Sequence, residues 1–183
     1  MLAISFCGPM TAAAVKPLKA LCCNAVNKQA PELTLLFGSA GGSIDVAFDL
    51  YHFLKALPLR LTMHNTGMVG SMATLVFLAG QVRRAAEQAV FLFHDMSWTY
   101  GEPQTVAATT LGEQALLLDS ARSRMKQVFR AHTALDEDRL ERLQFMREPV
   151  IMDARAALDA GIVQEICAPR LRYGTELHAA DWP

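Results

Sequence analysis

Residues 67–73 read Gly67-Met68-Val69-Gly70-Ser71-Met72-Ala73 and sit between an apolar run at 59–63 and an apolar segment at 72–79 that Gly80 ends. The run at 59–63 predicts a strand and the segment at 72–79 a buried helix. A glycine between them permits a tight turn that presents the next side chain at the helix start. The free amides of such a first turn, with the helix dipole, favour a developing negative charge. Ser71 in that place can attack a carbonyl while a neighbouring amide holds the oxyanion. The plainer reading is that Ser71 caps its helix.

The same order of elements extends in both directions. Residues 2–6 predict a first strand, 16–28 a helix with Pro17 in its first turn, and 33–37 a second strand ending in Gly38-Ser39-Ala40-Gly41-Gly42. A helix follows over 43–57, stopped by Pro58, and a fourth strand over 89–93 leads into His94. Strands separated by helices imply a parallel sheet with helices packed on it, an α/β fold. Gly42, Ser71 and His94 each follow a strand, so they meet at the sheet edge where such folds bind ligands. Two glycines at 41–42 let the backbone approach a ligand closely, and are also common as a turn device. A histidine at a strand end is often a satisfied core residue, and equally a base with a pKa near neutrality. Beyond residue 100 the pattern is helical: a long helix over 104–133, a charged one over 136–143, and one over 154–160 ended by Gly161 before a short strand at 162–163. The tail from Pro169 onward is polar and reads as loosely ordered.

Composition limits the alternatives. At 183 residues, with 52% hydrophobic and 19% charged residues, the chain is one core's worth with a surplus to bury inside or between subunits. No uncharged apolar stretch is long enough for a membrane helix, and a net charge of −1 gives no electrostatic case for nucleic acid or an anionic membrane. Cys7, Cys22, Cys23 and Cys167 have neither C-x-x-C nor metal spacing and read as buried free thiols of a reducing compartment. The start of the chain lacks a basic region and a long apolar region, so a cytoplasmic location is expected. His52, His64, His132 and His178 have no metal spacing, and 38–43 lacks the lysine of a phosphate loop, so no metal, nucleotide or other cofactor is expected.

The assembled pattern resembles the ClpP family, the proteolytic subunit of the caseinolytic protease. The matching residues are Ser39-Ala40-Gly41-Gly42-Ser43, the stretch 67–73, Phe91-Leu92-Phe93-His94, Ala131-His132-Thr133 and 156–166 (AALDAGIVQEI). The resemblance covers about residues 2–168. It implies a ClpP/crotonase-like fold of repeated β-β-α and βα units, a mostly parallel sheet and a protruding handle helix. It implies a single domain over 1–168, with the handle at about 97–130 and a C-terminal tail at 169–183. By the same resemblance Ser71 is the nucleophile, His94 the base, and the Gly42 and Met72 amides the oxyanion hole. The reaction implied is hydrolysis of peptides or unfolded polypeptides through an acyl-enzyme, inside homo-oligomeric heptameric rings stacked in pairs by the handle. Trp98 and Tyr100 fall where that family lines its substrate, or pack under the handle.

Three departures qualify the match. The family's third catalytic residue is an aspartate shortly before the last helix, and counting back from Gly161-Ile162-Val163 reaches Pro149. Glu148 is then the working choice to accept a hydrogen bond from the second nitrogen of His94, with Asp153 and Asp95 as alternatives. The proline usual before the glycine pair is Ala40. The chain also starts almost at its first strand, without the family's N-terminal axial segment, which argues against dependence on an AAA+ unfoldase. Pro149 supports a rival reading, an inactive ring subunit with a structural or regulatory role. A crotonase-type acyl-thioester enzyme would share the two-amide oxyanion hole but needs no Ser-His pair.

Overall fold

The structure, a computed structural model, describes residues 1–100, 105–144 and 149–181. Its first half alternates strand and helix: β1 (Leu2–Cys7), α1 (Ala12–Asn27), β2 (Glu32–Ser39), α2 (Ile44–Ala56), β3 (Arg60–Gly70) and α3 (Met72–Phe77). Then follow β4 (Val82–Ala85), β5 (Val90–Phe93), the long α4 (Ala108–His132), α5 (Glu137–Gln144), β6 (Val150–Asp153), α6 (Ala154–Asp159), β7 (Glu165–Ile166) and β8 (Glu176–Ala179). Among the described residues one eight-stranded sheet runs β6-β5-β3-β2-β1-β8, with β4 on β3 and β7 on β4. All these pairs are parallel except β5–β6. The α/β fold with a mostly parallel sheet is therefore as the sequence implies.

Period-two burial builds the sheet. On β2, Leu33, Leu35 and Phe37 are buried while Glu32, Thr34 and Leu36 are only partly covered. Phe6 stacks on Phe37 at 5.6 Å between ring centres, closing the β1–β2 seam. Helix starts are locally encoded. The Thr11, Ser43 and Asp153 side chains accept from the amides of Ala14, Val46 and Ala156, capping α1, α2 and α6. In α2, Asp45 in the first turn and Lys55 in the last also suit the helix dipole.

Several boundaries differ from the sequence reading, for physical reasons. Because Thr11 caps α1, the helix begins at Ala12 and Pro17 falls in its second turn, past the first turn where proline is free of cost. β3 runs on past the strand expected at 59–63 to Gly70 because it has two partners: residues 62–65 pair with β4 and residues 68–70 with β5. Asn65 pins this fork, its side-chain amide donating to the Val90 carbonyl at 2.9 Å and its side-chain oxygen accepting from Gly67 N at 3.0 Å. The stretch between α3 and β5, to which the sequence reading gave no element, contains β4. Its Arg83 is buried and donates to the carbonyls of Gly80, His132, Gly161 and Ile162. The strand expected at 162–163 lies at Glu165–Ile166, because Ile162 and Val163 are buried behind α6, their amides bonded to the Ala157 carbonyl. The tail is not loose throughout: β8 pairs in parallel with β1, and Lys28 bonds Glu176 at 2.5 Å. Of the four cysteines only Cys22 is buried, where lost solvation pushes its thiol up to about 12; Cys7 and Cys23 are exposed.

The handle is half anchored. In α4, Ala121, Met125 and Phe129 are buried, and Phe129 meets Phe93 edge-on at 6.0 Å. Burial of a side chain such as Phe129 stabilises by about 1.5–3 kcal/mol. Toward its N-terminal half, Leu111, Leu116 and Leu117 are 51%, 71% and 57% exposed. No helix among the described residues is long and apolar enough to cross a membrane.

Candidate active site

Parallel strands bring the C-terminal ends of β1, β2, β3 and β5 to one edge. Gly8 N donates to Gly38 O at 3.2 Å, Met10 N to Gly41 O at 2.7 Å, and Ser71 N to Leu92 O at 2.8 Å. These bonds lace the loop after each strand to its neighbour, so Gly41-Gly42, Ser71 and His94 are held together by backbone.

Ser71 has φ 51° and ψ −131°, the left-handed half of backbone space, at the turn from β3 into α3. That conformation is costly for a residue with a Cβ, by about 1–3 kcal/mol, and its occurrence marks a position the surroundings over-determine. The Ser71 carbonyl accepts from the Thr74 amide at 3.0 Å and the Thr74 hydroxyl at 2.7 Å. Its own hydroxyl makes no capping bond. Helix capping therefore does not account for a serine here.

Gly41 explains how close the glycine loop comes. With φ at 102°, a Cβ built on it would lie 2.6 Å from Ser71 Cβ, 2.9 Å from Gly70 O and 3.2 Å from Met72 N. Gly42, with φ at 144°, packs equally tightly on the Met10 backbone. Met10 uses its own N–H on Gly41 O and its carbonyl on Ser43 N. The amides of Gly42 and of Met72, the latter at the first position of α3, have no acceptor among the described residues.

His94 follows β5 on the face opposite buried Phe93, and its ring is exposed. Ser71 and His94 line one cavity with Met72, Phe93, Met96, Met125 and Leu143. No hydrogen bond joins the hydroxyl to the ring. Nδ1 of His94 lies 2.8 Å from the backbone carbonyl of Asp95. A carbonyl only accepts, so Nδ1 carries a proton, and in the neutral ring the lone pair falls on Nε2. The Asp95 carboxylate is occupied elsewhere: Oδ1 accepts from its neighbour Met96 N at 2.8 Å and from Arg122 Nη2 at 2.8 Å. Arg122, on α4, also bonds Asp119 at 2.8 Å.

The other proposed orienting acids fare differently. Glu148 lies outside the described residues. Asp153 pairs with Val90, four residues from His94, or about 13 Å along a strand. Its carboxylate caps α6 through Ala156 N at 2.7 Å, so Asp153 is not the partner of His94. The β5–β6 register, with Phe93 opposite Val150, carries Pro149 to the position facing His94. Arg122, Met96, Met125 and Leu143 were not singled out from the sequence as site residues. Helical and apolar patterns do not distinguish such wall residues from ordinary core. Trp98 is 47% exposed, and the Tyr100 hydroxyl donates to Gln114 on α4, which joins the segment after β5 to the handle. Among the described residues no cluster of His, Cys, Asp and Glu has the geometry to hold a metal.

The Clp protease family model matches residues 4–170. Among solved structures, a point mutant of ClpP1 from Listeria monocytogenes is similar in fold, with a TM-score of 0.76 at 16% identity over 92% of this chain and 92% of that one. No curated protein matches.

Proposed function

The chain belongs to the Clp protease family, and from that premise we propose that it is a serine peptidase acting on peptides or unfolded polypeptides through an acyl-enzyme. The observation that carries the proposal is the Ser71 hydroxyl: free of capping, on a constrained backbone, and lining the same cavity as His94. Ser71 Oγ adds to the scissile carbonyl carbon while His94 Nε2 takes the hydroxyl proton. The Gly42 and Met72 amides, without acceptors of their own, receive the oxyanion. The same imidazole then protonates the leaving amine. Water, deprotonated by His94, splits the acyl ester and restores Ser71. Contacts of this kind commonly tighten only when substrate is bound, so the open Ser71–His94 pair is compatible with the role. Asp95, through its backbone carbonyl, keeps the ring in the tautomer this sequence needs.

Assembly follows from the same reading. Leu111, Leu116 and Leu117 leave apolar side chains exposed around the outer half of the handle, which suits burial between stacked heptameric rings that would enclose the site in a chamber.

A fluorophosphonate probe tests the nucleophile. Wild-type protein is expected to label and Ser71→Ala to stay unlabelled; equal labelling of both removes Ser71 from the mechanism. The second reading, a ring subunit without activity of its own, draws on Pro149 standing where an aspartate would face His94. It requires that the pure protein neither label nor hydrolyse peptides, and that activity appear only with a catalytic family member added.

A further inference from the structure

The sheet has a second polar surface, on the face turned away from Leu33, Leu35 and Phe37. Strand register builds its floor. Thr34 of β2 lies beside Thr62 of β3, and His64 of β3 beside Arg84 of β4, which in turn lies beside Glu165 of β7. Arg60 begins β3 at one end of this floor. Beyond β7 the chain turns over it, and Arg170 and Arg172 complete a cavity of about 520 Å³.

The charge lining it is unbalanced. Four arginines (Arg60, Arg84, Arg170 and Arg172) face two carboxylates, Glu32 and Glu165, and Glu165 is already bound by Arg84 at 2.7 Å. The guanidinium groups of Arg60, Arg170 and Arg172 meet no carboxylate among the described residues. Outside the cavity Arg122, Arg130 and Arg155 each pair with an acid, while Arg83 is spent on backbone carbonyls and Arg124 on the Phe48 ring. Three unpaired like charges around one concavity repel one another unless an anion joins them. Guanidinium forks match the oxygens of phosphate or carboxylate in bidentate fashion, and Thr34 and Thr62 add neutral donors to the floor.

We infer that this cavity binds a compact polyanion of the condensed-phosphate class. An extended acidic peptide fits less well. A peptide added as a further strand has no place here, because β2, β3 and β4 are internal strands whose backbone groups are already paired. The floor offers side chains only. None of these residues belongs to the Ser71 site, so the inference stands or falls independently of the peptidase assignment.

Calorimetric titration of the full chain with inorganic triphosphate tests it, with the thermal midpoint followed in parallel. Triphosphate is expected to bind, to raise the midpoint, and to weaken as salt is added. Arg60→Gln and Arg170→Gln, both at exposed positions, are each expected to lose about tenfold in affinity while keeping the unliganded midpoint. Arg139→Gln, a surface change outside the cavity, leaves binding unaltered. The inference is overturned by absence of binding at millimolar triphosphate, by equal affinity in both cavity variants and the wild type, or by tighter binding of a tetraglutamate peptide.

Discussion

Nδ1 of His94 and the backbone carbonyl of Asp95 lie 2.8 Å apart, so among the described residues it is the one following the imidazole that orients it. Because the acceptor is main chain, Asp95→Asn leaves it in place. That variant is expected to lose less than about tenfold in kcat/KM, against about 10⁴-fold when the orienting aspartate of a conventional triad is amidated. Arg122→Ala, which frees the Asp95 side chain, should lower kcat more than it changes KM. Steady-state peptide hydrolysis by the three proteins decides the point. A large loss in Asp95→Asn would show that the carboxylate, not the carbonyl, is in use.

The β5–β6 pairing ends at Phe93 and Val150, and continuing its register by one residue sets Pro149 against His94. Replacing it with aspartate supplies a charged acceptor to the ring from the neighbouring strand. Pro149→Asp is therefore expected to raise kcat/KM by at least about tenfold. No gain, with labelling by the fluorophosphonate probe unchanged, would mean that orientation of the ring does not limit the rate.

Gly41 has no room for a side chain: a methyl group there would come within 3.0 Å of both Ser71 Cβ and Gly70 O. Gly41→Ala combines that clash with a positive φ and should destabilise the fold by about 1–3 kcal/mol while moving the nucleophile. Denaturant midpoints measure the first effect and probe-labelling rate the second. A fully stable variant that labels at the wild-type rate would contradict the packing described for this loop.

His64 and His132 both have pKa values held below the ordinary histidine range, each mainly by burial. For His132 the nearby Lys55 and Arg83 add to the effect; for His64 the Cys167 carbonyl opposes it. A depressed folded-state value means that the unfolded chain binds more protons just below about pH 6.5, so stability rises with pH there. The contribution is present above that pH and is lost on acidification through the folded-state values. Denaturant midpoints are expected to fall from pH 7.5 to pH 5.5, less steeply in His132→Gln. A flat profile for both proteins would remove histidine burial as the cause.

Much of this was legible in the sequence because it rests on local chemistry. The Gly70-Ser71 turn, the glycine pair at 41–42 and the run ending at His94 each declare themselves through glycine placement and apolar periodicity. What escaped is long-range. β4 and β6 are four residues each and mixed in character, and only pairing with β3 and β5 makes them strands. β8 likewise exists because the edge of β1 is there to receive it. Asp95 enters the sequence reading only through its carboxylate; that its backbone carbonyl meets the His94 ring cannot be read, because every residue carries such a group.

The forked partnering of β3 carries a further consequence. Its proximal half is committed to β4, while the half leading to Ser71 answers only to β2 and β5. The connection at 86–89 joins those two arms, with Glu87 and Gln88 exposed and Ala89 buried. Because Ser71 N is bonded to the Leu92 carbonyl, a residue added or lost in that short link would be taken up there and leave the β3–β5 register, and with it the placing of His94 against Ser71, unchanged.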